Sequence, residues 1–273
     1  MLMRESVWMC PVCGGDLEWN DRSLCCGKKH CFDAARSGYV HLLPAIRMHA
    51  KLPGDDPEMV RARRRFLQKE YYAHLRQALT DALHEALPGG GILLDAGCGE
   101  GYYTVGIRAA LDLKAYGVDI SKTAADLAAR ADKESQYAVG SVFHLPVRDG
   151  ACDAVMSVFA PYCGEEFRRV LRPGGIFVMA IPAARHLWEL KSAVYDYPYE
   201  NEVKDYALEG FRFLRCIPAE KMLHLPSQED IADLFAMTPY AYRTGAQEKE
   251  RLAALETLDT RAEFEVLVYA REA

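Results

Sequence analysis

The segment Leu93-Leu-Asp-Ala-Gly-Cys-Gly-Glu-Gly-Tyr-Tyr-Thr104 places a glycine-rich turn between a short apolar run and the beginning of a helical pattern. Glycines at such a turn let the backbone come close to a ligand. In open α/β sheets the ligand binds at the carboxyl ends of the strands, which is where this turn would lie. The segment therefore predicts a buried strand followed by a ligand-binding turn.

The sequence on both sides of this turn alternates short apolar runs with helical stretches. Further apolar runs are AYGVDI, QYAVGS, ACDAVMSVF and GGIFVMAIP, and helices are predicted from about Tyr103, over 122–131 and at EEFRRVL. Such alternation is typical of parallel strands joined by crossover helices. We expect an α/β fold with a mostly parallel, Rossmann-like sheet and helices on both faces. The alternating run FEVLVYARE is expected to add an edge strand.

The chain divides by composition into a small N-terminal module, a linker and a large domain. Residues 1–43 are rich in Cys, Gly and aromatic residues and are too few to bury a core without a staple. Residues 44–56 contain two prolines and a glycine and are predicted to be the linker. Residues 57–273 form the α/β domain, which begins with one or two amphipathic helices and carries an insertion over 183–240. A helix is predicted within this insertion at SQEDIADLF.

Two acidic residues accompany the glycine turn. A dinucleotide-binding turn reads G-x-G-x-x-G and faces a pyrophosphate, which the carboxylate of Asp95 would repel. That carboxylate suits a cationic amino group instead. Asp119 ends the next strand, where a carboxylate can accept hydrogen bonds from both hydroxyls of a ribose. In order and spacing these features resemble the D-x-G-x-G-x-G motif and second-strand acid of class I S-adenosylmethionine (SAM) methyltransferases, which implies SAM as the cofactor.

Five of the nine cysteines lie within the first 31 residues, and we expect a zinc site there. A disulfide framework is not expected, because the cytoplasm keeps thiols reduced. Cys10-Pro-Val-Cys13 has the spacing of a zinc knuckle, and several residues compete for the second pair of ligands. We predict a structural Zn²⁺ site with four ligands, Cys10, Cys13, Cys26 and His30. Cys31 is the alternative to His30 as the fourth ligand.

Further motifs resemble one methyltransferase family over essentially the whole chain. They are Cys-Pro-x-Cys, Cys-x3-His-x-Phe-Asp33, Arg36-Ser-Gly-Tyr-Val-His-Leu-Leu-Pro44, Gly54-Asp55, Arg61-Ala-Arg63-Arg-x-Phe-Leu67, Ala160-Pro161 and Arg185-His186-Leu-x-Glu189-Leu-Lys191. These motifs resemble the bacterial 23S ribosomal RNA guanine-N1 methyltransferases named RlmA. The resemblance implies methyl transfer from SAM to N1 of a guanine in a 23S rRNA hairpin loop, and it suggests a homodimer.

The same resemblance extends the cofactor site beyond the glycine turn to an adenine segment at 140–142 and to two outlying residues. A general base that removes the N1 proton of guanine would help the reaction, and His186 and Glu189 are the candidates. Phe159-Ala-Pro161 is expected to shape the acceptor pocket. The expected SAM contacts are Tyr72, Asp95, Gly97, Cys98, Gly99, Glu100, Gly101, Tyr102, Tyr103, Asp119, Ile120, Ser141, Val142 and His186.

The charge distribution favours RNA over other partners. The net charge is −6, which argues against non-specific coating of nucleic acid, but residues 28–76 hold eleven Lys and Arg against five Asp and Glu. By the family resemblance this segment and the zinc module would grip the 23S rRNA hairpin or a ribosomal precursor. The sequence shows no secretory signal and no apolar run of about eighteen residues, so we expect a cytoplasmic protein with no membrane partner.

Two other functions fit part of the sequence. A SAM-dependent methyltransferase acting on a small-molecule acceptor would share every cofactor motif and use zinc only as a staple. A zinc-ribbon RNA-binding or regulatory protein with an inactive methyltransferase domain is the other. The intact Asp95, Gly97, Gly99 and Asp119 argue against the inactive form.

Overall fold

The computed structural model describes residues 6–44, 54–202, 205–242 and 244–272. Most of the predicted linker, residues 45–53 with Arg47 and Lys51 of the basic segment, lies outside the described residues. No helix in the described ranges is long and apolar enough to cross a membrane.

The strands are β1 (Leu17–Asn20), β2 (Ser23–Cys26), β3 (Cys31–Asp33), β4 (Val40–His41), β5 (Gly91–Ala96), β6 (Leu113–Asp119), β7 (Gln136–Val139), β8 (Cys152–Val158), β9 (Leu171–Pro182), β10 (Phe211–Leu225) and β11 (Leu258–Arg271). The helices are α1 (Pro57–Gln68), α2 (Ala73–Ala86), α3 (Tyr102–Ala110), α4 (Lys122–Ala131), α5 (Gly164–Val170), α6 (Trp188–Val194), α7 (Gln228–Ala236) and α8 (Ala246–Ala253), and a 3-10 helix covers Pro239–Tyr242.

Eight strands form the main sheet in the order β10-β11-β9-β8-β5-β6-β7-β4. The strands from β9 to β4 run parallel, and β11 and β10 run antiparallel to their neighbours. The predicted mostly parallel Rossmann-like sheet is therefore confirmed. The prediction that the last strand lies at an edge was wrong, because the insertion supplies β10. This strand pairs along β11 and places it inside the sheet.

Hydrophobic cores lie on both faces of the sheet, because successive residues of a strand point to opposite sides. On β5, Leu93 packs into the core that holds helix α2. Its neighbour Leu94 packs into the core that holds Phe167 of α5 and Trp8 of the N-terminal module. All of these side chains are at most 1% exposed. Burying each such side chain is worth roughly 1.5–3 kcal/mol, so the helices are held mainly by these faces.

Two helices inside the domain, α4 and α7, begin at serine caps that the sequence supplies. Ser121 precedes α4, and its hydroxyl accepts a hydrogen bond from the backbone N–H of Ala124. Ser227 caps α7 in the same way through the N–H of Asp230. Such caps satisfy N–H groups that the helix itself leaves without a partner. The predicted helices over 122–131 and at SQEDIADLF are both present.

The N-terminal module is joined to the domain through the sheet itself. Strand β4 pairs in parallel with β7, and Leu42 N donates to Val139 O at 2.9 Å. The indole N–H groups of Trp8 and Trp19 both donate to Gln136 Oε1, at 3.0 and 2.9 Å. The module therefore supplies the strand at one edge of the main sheet. The expected boundary at residue 43 did not anticipate this connection.

The chain reverses its direction across the sheet between β5 and β8. The connections after β5 lead outward through β6 to β7, and the chain then returns to β8 on the other side of β5. A crevice forms at the carboxyl ends of the strands at such a switch point. The topology therefore places the glycine turn after β5 beside the segment that follows β8.

We expect that Gln136→Met lowers the free energy of unfolding by about 2–4 kcal/mol, because the buried indole N–H of Trp8 and the partly buried one of Trp19 lose their acceptor. Chemical denaturation followed by tryptophan fluorescence would measure the change. Gln77→Met is the matched control, since the side chain of Gln77 donates to Asp81 on an exposed helix face, and it should change stability by less than about 0.5 kcal/mol. Equal effects of the two substitutions would show that Gln136 does not hold the module.

Candidate functional site

A buried carboxylate with one unpaired oxygen lies at the carboxyl end of β5. The Asp95 residue is 1% exposed. Thr104 Oγ1 donates to Asp95 Oδ2 at 2.6 Å, whereas Oδ1 has no hydrogen-bond partner among the described residues. Burial raises the pKa of Asp95 to about 7, although the Thr104 hydrogen bond opposes the shift. A buried acceptor without a partner is costly, so Oδ1 is suited to a donor from a ligand.

The backbone of the glycine turn lies directly against the segment that follows β8. Gly97 has φ +88°, and a side chain at this position would collide with Ala160 Cβ. The backbone N–H groups of Gly97 and Cys98 both donate to Val118 O, at 2.8 and 3.1 Å. Cys98 is buried, and burial raises the pKa of its thiol well above the usual value, so the side chain packs as a neutral group.

The second acid, Asp119, is oriented by two backbone amides. Its Oδ1 accepts from Ser121 N at 2.7 Å, and its Oδ2 accepts from Gly99 N at 2.9 Å. Burial raises the pKa of Asp119, although these two amides and the charge of Arg63 oppose the shift. Each carboxylate oxygen keeps a second lone pair for a further donor. Gly140 N also donates to Asp119 O, at 2.9 Å, which holds the 140–142 segment beside the acid.

The structure brings most of the expected SAM contacts together at the carboxyl ends of β5, β6 and β7. Val142 lies beyond β7 and is buried, and Phe143 N donates to Ser141 Oγ at 3.2 Å in the same turn. Glu100 is also buried, and its Oε2 has no described partner. Burial raises the pKa of this carboxyl, and nearby Arg63 opposes the shift. Three acids, Asp95, Glu100 and Asp119, thus lie together at this edge of the sheet, where the switch in strand order is expected to form a cleft.

Two residues of this cleft were not predicted as site residues. Arg63, on α1, forms an ion pair with Asp55, and its charge acts on both Glu100 and Asp119. Its Nη1 lies 3.5 Å from the position that a Cβ of Gly99 would occupy. The motifs Gly54-Asp55 and Arg61-Ala-Arg63 were the available signal, but the run of bases around Arg63 favoured an RNA surface.

Most of the basic run on α1 and α2 pairs with acids of this chain. Arg65 makes a two-pronged contact with Asp233, with hydrogen bonds between 2.6 and 3.2 Å. Lys69 donates to Asp230 at 2.6 Å. Both carboxylates are buried and belong to α7 of the insertion. Arg61 and Arg76 pair with Glu58 and Glu70. Arg65 and Lys69 therefore attach the first helix and its end to α7 of the insertion, whereas the exposed pair of Arg61 contributes little stability.

Tyr72 and His186 lie together in an aromatic cluster around Phe264. The ring centroids of Tyr72 and His186 are 6.4 Å apart, and they lie 4.9 and 4.5 Å from that of Phe264. Burial lowers the pKa of His186 to about 3, with a contribution from the charge of Lys191. Glu263 N donates to His186 Nδ1 at 3.2 Å. The neutral ring therefore carries its proton on Nε2 and is a hydrogen-bond donor there.

The remaining expected residues have roles that their contacts define. The Tyr102 hydroxyl donates to Glu70 Oε2 at 3.4 Å, and the Arg76 guanidinium lies 4.6 Å from the centre of the Tyr102 ring. Glu189 Oε2 accepts from Arg261 N at 2.9 Å and from Thr260 Oγ1 at 3.2 Å. Although burial alone would raise the pKa of Glu189, these contacts lower it. Glu189 therefore ties α6 to β11 and is poorly suited to act as a base.

The N-terminal cluster fits one tetrahedral ion. Its four ligand atoms lie within 4.8 Å of one another. The Cys13 and Cys26 sulfurs are 3.7 Å apart, and His30 Nδ1 lies 3.6 Å from the Cys10 sulfur and 3.4 Å from the Cys26 sulfur. Ligands bound to zinc at about 2.0–2.3 Å in a tetrahedron lie about 3.4–3.8 Å apart. A set of three thiols and one imidazole is also the chemistry of a structural zinc site.

Two further observations distinguish the ligands from their neighbours. Burial would raise the pKa of the Cys26 thiol, but backbone amides of His30 and Lys28 and the adjacent side chains lower it to about 6, which favours the thiolate that binds metal. Cys25 and Cys31 face each other across β2 and β3 and are joined as a disulfide. The structure thus places His30 in the cluster and Cys31 outside it. The disulfide itself was not expected from the sequence.

Comparison with known proteins agrees with both halves of this architecture. Residues 8–51 match the family described as "RlmA, N-terminal", and residues 94–179 match a methyltransferase domain family. A 23S rRNA (guanine(748)-N(1))-methyltransferase of Streptomyces fradiae is 39% identical over 199 residues, 70% of each chain. A candidate 23S rRNA (guanine-N1)-methyltransferase of Micromonospora griseorubida is 34% identical over 90% of each chain, and one of Bacillus subtilis (strain 168) is 27% identical over 96%. The chain therefore belongs to the family of 23S rRNA (guanine-N1)-methyltransferases, which are SAM-dependent enzymes with an N-terminal zinc ribbon.

Proposed function

We propose that this enzyme transfers a methyl group from SAM to N1 of a guanine in a hairpin loop of 23S rRNA. The observation that carries the proposal is the cleft at the end of β5, where a buried acid with an unpaired oxygen adjoins the glycine turn. The relatives that are named for this reaction match the chain over 70–90% of its length. A substrate in ribosomal RNA would place the protein in the cytoplasm. A homodimer, which the family resemblance suggests, would be tested by sedimentation.

The residues of the cleft fit the three parts of SAM. Asp95 Oδ1 would accept a hydrogen bond from the ammonium group of the methionine part. Asp119, whose two oxygens each accept one backbone amide already, would use its remaining lone pairs for the ribose hydroxyls. Ser141 and Val142 would lie beside the adenine. The remaining proposed contacts are Tyr72, Gly97, Cys98, Gly99, Glu100, Gly101, Tyr102, Tyr103, Ile120 and His186.

SAM supplies an electrophilic methyl group on a sulfonium, so the protein's task is mainly to position the acceptor. His186 can donate a hydrogen bond from its Nε2 proton to an oxygen or nitrogen atom of the substrate and so orient the substrate. Its pKa of about 3 makes it a poor proton acceptor at neutral pH. The Oε2 atom of Glu189 already accepts a hydrogen bond from the backbone N–H of Arg261 on β11. We therefore propose His186 as a positioning donor and assign neither residue as the general base.

We propose that the zinc module, residues 1–43, recognises RNA and that residues 57–273 catalyse the transfer, with 183–240 bordering the acceptor pocket. Lys28, Lys29 and Arg36 are exposed on the module. In contrast to Arg65 and Lys69, they form no ion pair with a described residue. Such exposed bases can contact phosphates and supply salt-dependent affinity. The insertion follows β9 directly, at the edge of the sheet where ligands bind.

The test of the proposed reaction is primer extension on 23S rRNA from cells that lack this protein. A methyl group at N1 blocks Watson–Crick pairing, so reverse transcriptase should stop beside the modified guanine. We expect a new stop in a hairpin loop only when the purified enzyme and SAM are both present. Intact SAM binding without any new stop would contradict the RNA substrate and favour a small-molecule acceptor.

We expect SAM binding to release about half a proton near pH 7, because an ammonium group beside Asp95 favours its ionised form. In the free protein the raised pKa of about 7 leaves this carboxyl partly protonated at neutral pH. SAM affinity should therefore fall as the pH falls below about 7. Calorimetry in buffers with different ionisation enthalpies would measure the released proton.

Asp95→Asn should abolish this proton release and weaken SAM binding by roughly 10- to 100-fold. Asp81→Asn, on an exposed face of α2, is the matched control and should change neither quantity. Proton release that persists in Asp95→Asn would show that another group titrates.

Loss of zinc should weaken SAM binding as well as destabilise the protein. The module reaches the cofactor side through β4, and Tyr39 and Leu43 pack in one cluster with Cys98 and Val139. Because metal binding contributes to the folding energy of such modules, we expect Cys13→Ser to lower the melting temperature by more than about 10 °C. Cys163→Ser, outside the cluster, is the control. Unchanged SAM affinity in a zinc-free protein would show that the two sites are independent.

A further inference from the structure

Three positions of strained backbone lie in or next to the aromatic cluster around Phe264. Outside the zinc module, the described non-glycine residues with positive φ are Glu70, Phe159 and Leu187, at 61°, 56° and 56°. Glu70 lies in the turn that leads into Tyr72, and Leu187 directly follows His186. Residues in this region of φ cluster at functional sites, where the surrounding structure holds them. Each of the three positions thus belongs to the cluster of Tyr72, His186, Phe264 and Phe159 or lies within two residues of a member.

The rings of this cluster form a row that is buried at one end and open at the other. Phe264 of β11 is 2% exposed and contacts both Tyr72 and His186. Its ring centroid also lies 5.3 Å from that of Phe159. Phe159 is 47% exposed, in contrast to the buried rings behind it. An aromatic side chain that rests on a buried ring and stays half exposed offers a surface for a further ring.

Phe159 is held at this place by backbone contacts on both sides. Its N–H donates to Ala180 O of β9 at 3.3 Å. The next residue, Ala160, packs against the backbone of Gly97 in the glycine turn. The fold would accept glycine at position 159 with less strain, because φ near +56° is favourable for glycine and unfavourable for phenylalanine. The contact with Phe264 offsets part of this strain, and the exposed half of the ring remains available to a ligand.

We propose that Phe159 is the ring on which the target guanine stacks. This inference rests on the proposed function and names the residue that holds the acceptor beside the cofactor turn. RNA bases that are read outside a helix commonly stack on aromatic side chains, and a purine offers a large π-face for this contact. The contact of the Ala160 side chain with the Gly97 backbone fixes the ring relative to the glycine turn. Stacking here would limit the guanine to one plane within the pocket.

The test compares four variants on a 23S rRNA hairpin transcript. Phe159→Leu and Phe159→Gly remove the ring, Phe159→Trp keeps an aromatic face, and Phe213→Leu alters another partly exposed phenylalanine on β10. We expect kcat/KM to fall about 10- to 100-fold for the first two and to stay within about threefold of wild type for the others. SAM affinity, measured by calorimetry, should change less than about twofold in all four.

Phe159→Gly separates this role from a structural one. The substitution relieves the positive φ, so we expect its melting temperature to be no lower than that of Phe159→Leu while its activity is lost. Wild-type activity in Phe159→Leu would overturn the stacking role alone, because the RNA reaction would still be present. An equal loss of SAM affinity would overturn it too, since the ring would then serve the cofactor. A wild-type enzyme that binds SAM but methylates no RNA would overturn both the stacking role and the proposed function.

Discussion

Strands β5 and β8 end side by side, and beyond them the backbone of Gly97 touches the side chain of Ala160. This contact leaves no room for a side chain on the glycine. It fixes the turn that follows Asp95 relative to the segment that carries Phe159. The proposed cofactor contacts and the proposed stacking ring therefore share one junction, and the position of each depends on the other. The parallel pairing of the two strands below the junction supports it.

Helix α1 connects the cleft with the insertion. One of its arginines, Arg63, faces the acids around the glycine turn, while Arg65 binds Asp233 of α7. Because the carboxylates of α7 are buried, each of them needs its basic partner from the first helices. The same short helix thus lies near the acids at the ends of β5 and β6 on one side and holds α7 of the insertion on the other. A run of like charges in the sequence has, in the folded chain, several separate local functions.

The sequence predicted those parts of the fold and site that depend on local pattern. Helix α4 has the predicted bounds, and the zinc cluster contains the predicted histidine. Features that depend on distant partners were missed. The two residues of β4 are too few to show a strand pattern, and Arg65 meets its acid 168 residues away. The edge position of β10 was hidden because its residues are mixed in polarity. Hydrophobic periodicity reports which face of an element is buried, but it does not report the partner.

The docking of the N-terminal module has a consequence for the order of folding. Trp8 donates to Gln136, which lies 128 residues later in the chain, and β4 can pair only after β7 has been synthesised. Such distant contacts form slowly, because a long loop must close first. During synthesis, the zinc ribbon would emerge before β7, and until then it would be held by its bound metal, by the β1-β2-β3 pairing and by the Cys25–Cys31 bond. The zinc ribbon can therefore fold first, and it adds β4 to the main sheet only after β7 has formed.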